Sequence, residues 1–191
     1  MSLLTGCPSA APAPDGGASS DGAVGDAEDT AEISADVAPR RTSLIDHDAW
    51  QPTGAADDPF DDRPATPACE RGFGWAVESF DTSQTLSVDT SLCDYLTVDQ
   101  PLSREVAAGS SIELRIWHFE LVGDGEAHLA IQIGAVPLWE AMVPIPRDSQ
   151  LLFETIVAPQ DLGAGTPIYF HLHNHGTNTY NLIDVALVED A

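Results

Sequence analysis

From Cys69 to its C-terminal end the chain is a succession of short extended runs separated by turn residues, and no segment sustains a helical period. This limits the fold more than any other feature. Nine runs alternate in the manner of strands: 74–81, 85–89, 95–98, 111–121, 127–133, 138–143, 151–158, 167–175 and 180–188. Turn residues separate several of them, at 107–110, 123–125, 144–148 and 162–165. So many strands with no helix between them predict an all-β antiparallel sandwich over residues 65–191, of the jelly-roll kind. Pro137, Pro144 and Pro146 flank the run 138–143 and predict an edge strand there.

The run 167–175 carries the densest chemistry. At period two, Ile168, Phe170 and Leu172 share one face, and Tyr169, His171, His173 and His175 share the other. The four residues Gly176 to Thr179 have a common hairpin length. If they form a hairpin, His175 opposes Tyr180, and Leu172, Phe170 and Ile168 meet Ile183, Val185 and Leu187. On the polar face that register sets His171 against Asp184 and His173 against Leu182. A carboxylate beside His171 would fix its tautomer and free one ring nitrogen for a ligand. Tyr169, His171, His173 and Asp184 are therefore the candidate ligand residues. An alternative is a zinc or copper site built from His118, His128, His171, His173 and His175, with Glu120 and Glu140 as further donors. A third reading gives the row a structural role only.

Before residue 65 the composition changes. Residues 8–64 are rich in Pro, Ala, Gly and Asp, a mixture that cannot bury enough apolar area to offset its entropy. They are expected to be a disordered acidic linker, with a patch at 43–50 touching the domain transiently and His47 standing apart from the other histidines. The chain as a whole has 31 acidic residues against 7 Arg and no Lys, a formal net charge of −24. Thirteen of the acids precede residue 65 and eighteen follow it, so the charge is not a tail property. Such a surface repels phosphate backbones and excludes nucleic acid as a partner.

Leu4-Thr5-Gly6-Cys7 resembles the end of a bacterial lipoprotein signal. The resemblance implies cleavage before Cys7, lipid on that residue, and an extracytoplasmic, membrane-anchored protein at the outer membrane or cell surface. The charged start and most of the apolar run of an export signal are absent, so residues 1–7 read as the remnant of a truncated signal. In an exported chain Cys69 and Cys93 are expected to form a disulfide.

The segment from the strand at 167 through Asn174, Asn178 and Tyr180-Asn181-Leu182-Ile183-Asp184 resembles jelly-roll carbohydrate-binding modules over about 25 residues. That resemblance implies a galactose-binding-like jelly roll with a sugar or another surface ligand as its partner. Catalysis finds little support. There is no Gly-x-Ser-x-Gly elbow, no His-Glu-x-x-His helix and no phosphate-cradling Gly-rich loop. The expected function is a non-catalytic binding or interaction module, with metal binding or a purely structural surface role as alternatives.

Overall fold

The computed structural model describes residues 38–80 and 83–189, the side chain of Phe80 excepted. Eleven strands account for most of them: β1 (Arg40–Ser43), β2 (Gln51–Pro52), β3 (Trp75–Phe80), β4 (Ser83–Asp89), β5 (Tyr95–Pro101), β6 (Ser111–His118), β7 (Leu121–Ile133), β8 (Val136–Arg147), β9 (Gln150–Val157), β10 (Pro167–His173) and β11 (Thr179–Glu189). One sheet runs β3-β4-β11-β6-β9, with β1 also paired to β11, and the other runs β2-β5-β10-β7-β8. All the strand pairs are antiparallel. Among the eight strands β4 to β11, partners nest from the outside in: β4 with β11, β5 with β10, β6 with β9, β7 with β8. A long hairpin rolled over itself gives this order, and it is a jelly roll. The expected fold class is the observed one, and β8 is an edge strand as its prolines require.

The core lies between the sheets. Ile168, Phe170 and Leu172 enter it from one side, and Ile112, Leu114, Ile116, Leu182, Val185 and Leu187 from the other. In β6 the alternation is complete, with every second residue buried. In β11 it changes phase: Tyr180 and Leu182 face inward, then Val185 and Leu187, because a bulge lies between Leu182 and Asp184. The residues 123–125, expected as a turn, instead form an irregularity inside β7, where Gly123 and Gly125 hold φ of 110° and 111°.

The expected β10–β11 hairpin is absent. The two strands belong to different sheets, and the residues between them cross from one to the other. Asn174 and Asn178, both buried, hold the crossing: Asn178 Nδ2 donates to Asn174 Oδ1 at 2.9 Å, and Thr90 and the Val122 backbone bind the same pair. Of the apolar partners that the hairpin register assigned to β10, Val185 and Leu187 do share a core with it, while Ile183 lies outside that core. Those two share it across the sandwich and not along one sheet.

Residues 38–64 also differ from the expected linker. Leu44 and Trp50 have no exposed surface, and Ile45 is buried with them. β1 extends the six-stranded sheet and β2 the five-stranded one. Between them a 3-10 turn at His47–Ala49 is capped by Asp46, whose side chain accepts from Asp48 N at 3.0 Å. Three large apolar side chains in a polar segment anchor it, which average composition conceals. His47 is buried here, donating Nε2–H to Ile183 O at 3.0 Å. The folded unit thus reaches back before residue 65. Residues 8–37 of the expected linker, and Cys7, lie outside the described residues. The expected disulfide joins Cys69 to Cys93. Among the described residues no helix is long and apolar enough to cross a membrane.

Candidate functional site

The outer face of the five-stranded sheet carries the histidines, and a strap formed by residues 53–63 covers them. β10 is central: His171 lies between Thr97 of β5 and Ala130 of β7, and His173 between Tyr95 and His128. Because alternate residues face the same side, Tyr95, Thr97, His128, Ala130, His171 and His173 form one outward patch. Ala130 is the smallest of them and leaves room beside His171. The strap is tied down at both ends. Thr53 donates its amide to Thr97 O at 2.9 Å and its hydroxyl to Asp99 Oδ1 at 2.7 Å. Arg63 donates to Asp58 and to Thr53 O and lies over the Tyr95 ring.

The strap lowers two residues onto the patch. Phe60 stacks on His171, with ring centres 4.2 Å apart and planes 20° from parallel. Asp62 places Oδ2 at 2.8 Å from His128 Nδ1, 2.9 Å from His173 Nδ1 and 3.3 Å from His171 Nε2. His171 Nε2 and His128 Nδ1 are themselves 3.2 Å apart. The ligand atoms of Asp62, His128 and His171 all lie within 4.8 Å of one another. Burial pushes the Asp62 carboxyl up from its ordinary 3.8, but hydrogen bonds from His128 and His173 outweigh it and hold the group at about 2. Burial pushes the His171 imidazole down to about 4, against the pull of Asp62. At neutral pH the pair is a carboxylate beside a neutral imidazole.

The polarity of the bonds around His171 is fixed from Asp58. A carboxylate only accepts, so Tyr95 donates its hydroxyl to Asp58 Oδ2 at 2.8 Å. The Tyr95 oxygen then accepts from the Thr97 hydroxyl at 3.2 Å. Thr97 Oγ1 is left to accept from His171 Nδ1–H at 3.1 Å. His171 Nε2 is consequently a bare lone pair aimed at Asp62 and His128.

His128 has the opposite problem. Its Nδ1 faces Asp62 and its Nε2 faces Glu140 Oε1, each at 2.8 Å. A neutral imidazole has one N–H for these two carboxylates. Asp62 Oδ1 is buried without a partner. A cavity of about 320 Å³ opens beside the group, bounded by Pro59, Phe60, Asp62, His128, Gln132, Pro137, Trp139 and Glu140.

The structure brings His128, His171 and His173 together, with His175 at the margin, its Nε2 3.2 Å from His173 Nε2. Tyr169 shares their face but sits farther along β10, opposite Asp99 and Gln132. His118 is not with them. It lies in the other sheet, buried, with Nδ1–H donated to Phe119 O at 2.8 Å. Asp184 is not with them either: the bulge in β11 turns it to the outside of the six-stranded sheet, opposite Arg115, where it accepts from Ser43 Oγ at 2.7 Å. Its assignment to the ligand face is corrected by the sheet topology. Sequence reasoning missed Asp58, Phe60, Asp62 and Thr97. The available signal was a lone Phe between two acidic pairs in Asp57-Asp58-Pro59-Phe60-Asp61-Asp62, followed by Arg63.

No known protein family and no curated protein matches the sequence. Solved structures resemble its fold at low identity. A carbohydrate-binding module that recognises mannan is 10% identical over 80% of this chain and 96% of its own, with a TM-score of 0.48. A cleaved adhesin domain of Lys-gingipain from Porphyromonas gingivalis is 13% identical over 78% of this chain and 99% of its own, at 0.42. A module of carbohydrate-binding family 4 is 16% identical over 61% and 92%, at 0.41.

Proposed function

We propose that the protein is a non-catalytic extracytoplasmic binding module whose ligand lies on the outer face of the five-stranded sheet, in the cavity beneath the strap. The ligand class that fits the lining is a hydroxyl-rich one, such as a saccharide. The observation that carries this reading is the cavity's composition: Phe60 offers apolar ring surface with Pro59 and Pro137 beside it, and Asp62, His128, Gln132 and Glu140 offer polar atoms around it. Aromatic surface takes up the C–H face of a sugar, and the polar groups fix its hydroxyls. Screening against a glycan array is the test. At least one glycan is expected to be retained, with Phe60→Ala weakening it by about tenfold or more while the circular dichroism is kept. A folded protein that leaves the arrays blank overturns the saccharide reading.

We further propose that Cys7 carries lipid and anchors the module at the outer membrane or cell surface. The Leu-Thr-Gly-Cys sequence supports this, and so does the Cys69–Cys93 disulfide, which belongs to an oxidising compartment. Mass spectrometry of protein extracted from its native membrane is expected to show acylated Cys7. An unmodified Cys7 there refutes the anchor.

A further inference from the structure

We propose that Asp62, His128 and His171 hold a single zinc ion whose fourth position opens onto the cavity beneath the strap. The inference rests on the reading of this cluster as the binding seat, and names a metal as part of it.

Three observations converge. The first is spacing. A tetrahedral zinc site with bonds of about 2.0–2.1 Å separates its ligand atoms by roughly 3.3 Å. The three separations here are 2.8 Å, 3.2 Å and 3.3 Å, so admitting the ion needs shifts of a few tenths of an ångström.

The second is proton bookkeeping. The Asp58–Tyr95–Thr97 chain leaves His171 Nε2 unprotonated and pointed at the centre. His128 faces two carboxylates that both demand a donor. A cation on His128 Nδ1 resolves this: the single proton moves to Nε2 and is donated to Glu140. Each metal-bound imidazole then has its other nitrogen held, His171 by Thr97 and His128 by Glu140, which is how zinc ligands are oriented. The buried Asp62 Oδ1 would also lie within reach of the cation.

The third is the division of roles. His173 donates Nδ1–H to Asp62 from the opposite side, and Nε2 is engaged by His175. It positions the carboxylate and does not complete the ring of ligands. Two imidazoles and one carboxylate leave an exchangeable position, and the Asp62 and His128 side of the group borders the cavity. An oxygen of a hydroxyl-rich ligand could bind there directly.

The test uses full-length protein stripped with chelator and titrated with zinc chloride by calorimetry. One equivalent is expected to bind. The melting temperature should rise by roughly 5–10 °C at free zinc near 100 times Kd. Cobalt(II) should give the visible absorption of a four-coordinate site and lose it when zinc is added. Asp62→Asn and His128→Gln are expected to abolish stoichiometric binding. His173→Gln should weaken it by about 10- to 100-fold without changing the stoichiometry, as loss of a supporting group does. His171 is buried beneath Phe60, so its variants are read only where circular dichroism shows a folded protein.

A flat titration of folded wild type overturns the proposal. So does a heat that survives Asp62→Asn but disappears with His175→Ala, which would place the ion at the surface pair. Folded wild type that binds no zinc but retains a glycan sinks the metal and leaves the binding-module reading standing. Zinc binding with blank glycan arrays does the reverse.

Discussion

Replacing Trp50 by Ala is expected to cost about 3–5 kcal/mol of stability, measured as a lowered midpoint in urea unfolding. The indole is fully buried, and no residue of the core comes from farther along the strap. Domains of ordinary size have about 5–15 kcal/mol in total, so this one change removes a large fraction. A segment that merely tethers the domain would respond within about 0.5 kcal/mol, as surface positions do. A change that small would show that residues 38–64 are not part of the cooperative fold. Because Asp62 and Phe60 follow twelve and ten residues later on the same segment, the variant should also weaken any ligand held beneath them.

Removing the disulfide has the second largest expected effect. Cys69 and Cys93 are 24 residues apart. In the chain-entropy account, closing a loop of that length stabilises by about 3 kcal/mol. The bridge joins the chain a few residues after the strap to the turn before β5, and the loop it closes, residues 69–93, contains β3 and β4. The Cys69→Ala, Cys93→Ala protein is expected to unfold at lower urea by the corresponding amount. Cys93 is buried against Gly74, where even a Cβ would stand 2.7 Å from the Cys93 Cβ. Small replacements are therefore required for the measurement to report loop closure and not overpacking. An effect below about 0.5 kcal/mol would show that the bridge constrains little.

Strand positions were legible because alternation is a local property. The observed β5, β6, β9 and β10 begin within one residue of the expected runs, and the prolines around 138–143 correctly marked an edge. Pairing was not legible, because it depends on residues distant in sequence. Ile168, Phe170 and Leu172 match Val185 and Leu187 equally well side by side in one sheet or facing across a core. The bulge in β11 compounded this by moving Asp184 out of the phase that simple alternation assigns. For the site, the histidines were visible and their carboxylate was not. Asp62 is one of 31 acidic residues, and it lies 109 residues from His171. Only the path of the strap distinguishes it. Its path is set by Leu44 and Trp50, which are too few to change the average hydropathy of the segment.

The stacking of Phe60 on His171 has a kinetic consequence. The ring lies over the imidazole and Asp62 comes down on the same strap, so an ion held by Asp62, His128 and His171 would be freed from its carboxylate only when the strap lifts, whereas a ligand in the open cavity would not wait for that motion. Residence time and affinity are then set by different parts of the protein. The sheet supplies the imidazoles that bind, and the ties at Thr53, Asp58 and Arg63 set the release rate. A substitution at one of those ties can shorten the lifetime of the complex while leaving every group that touches the ion in place.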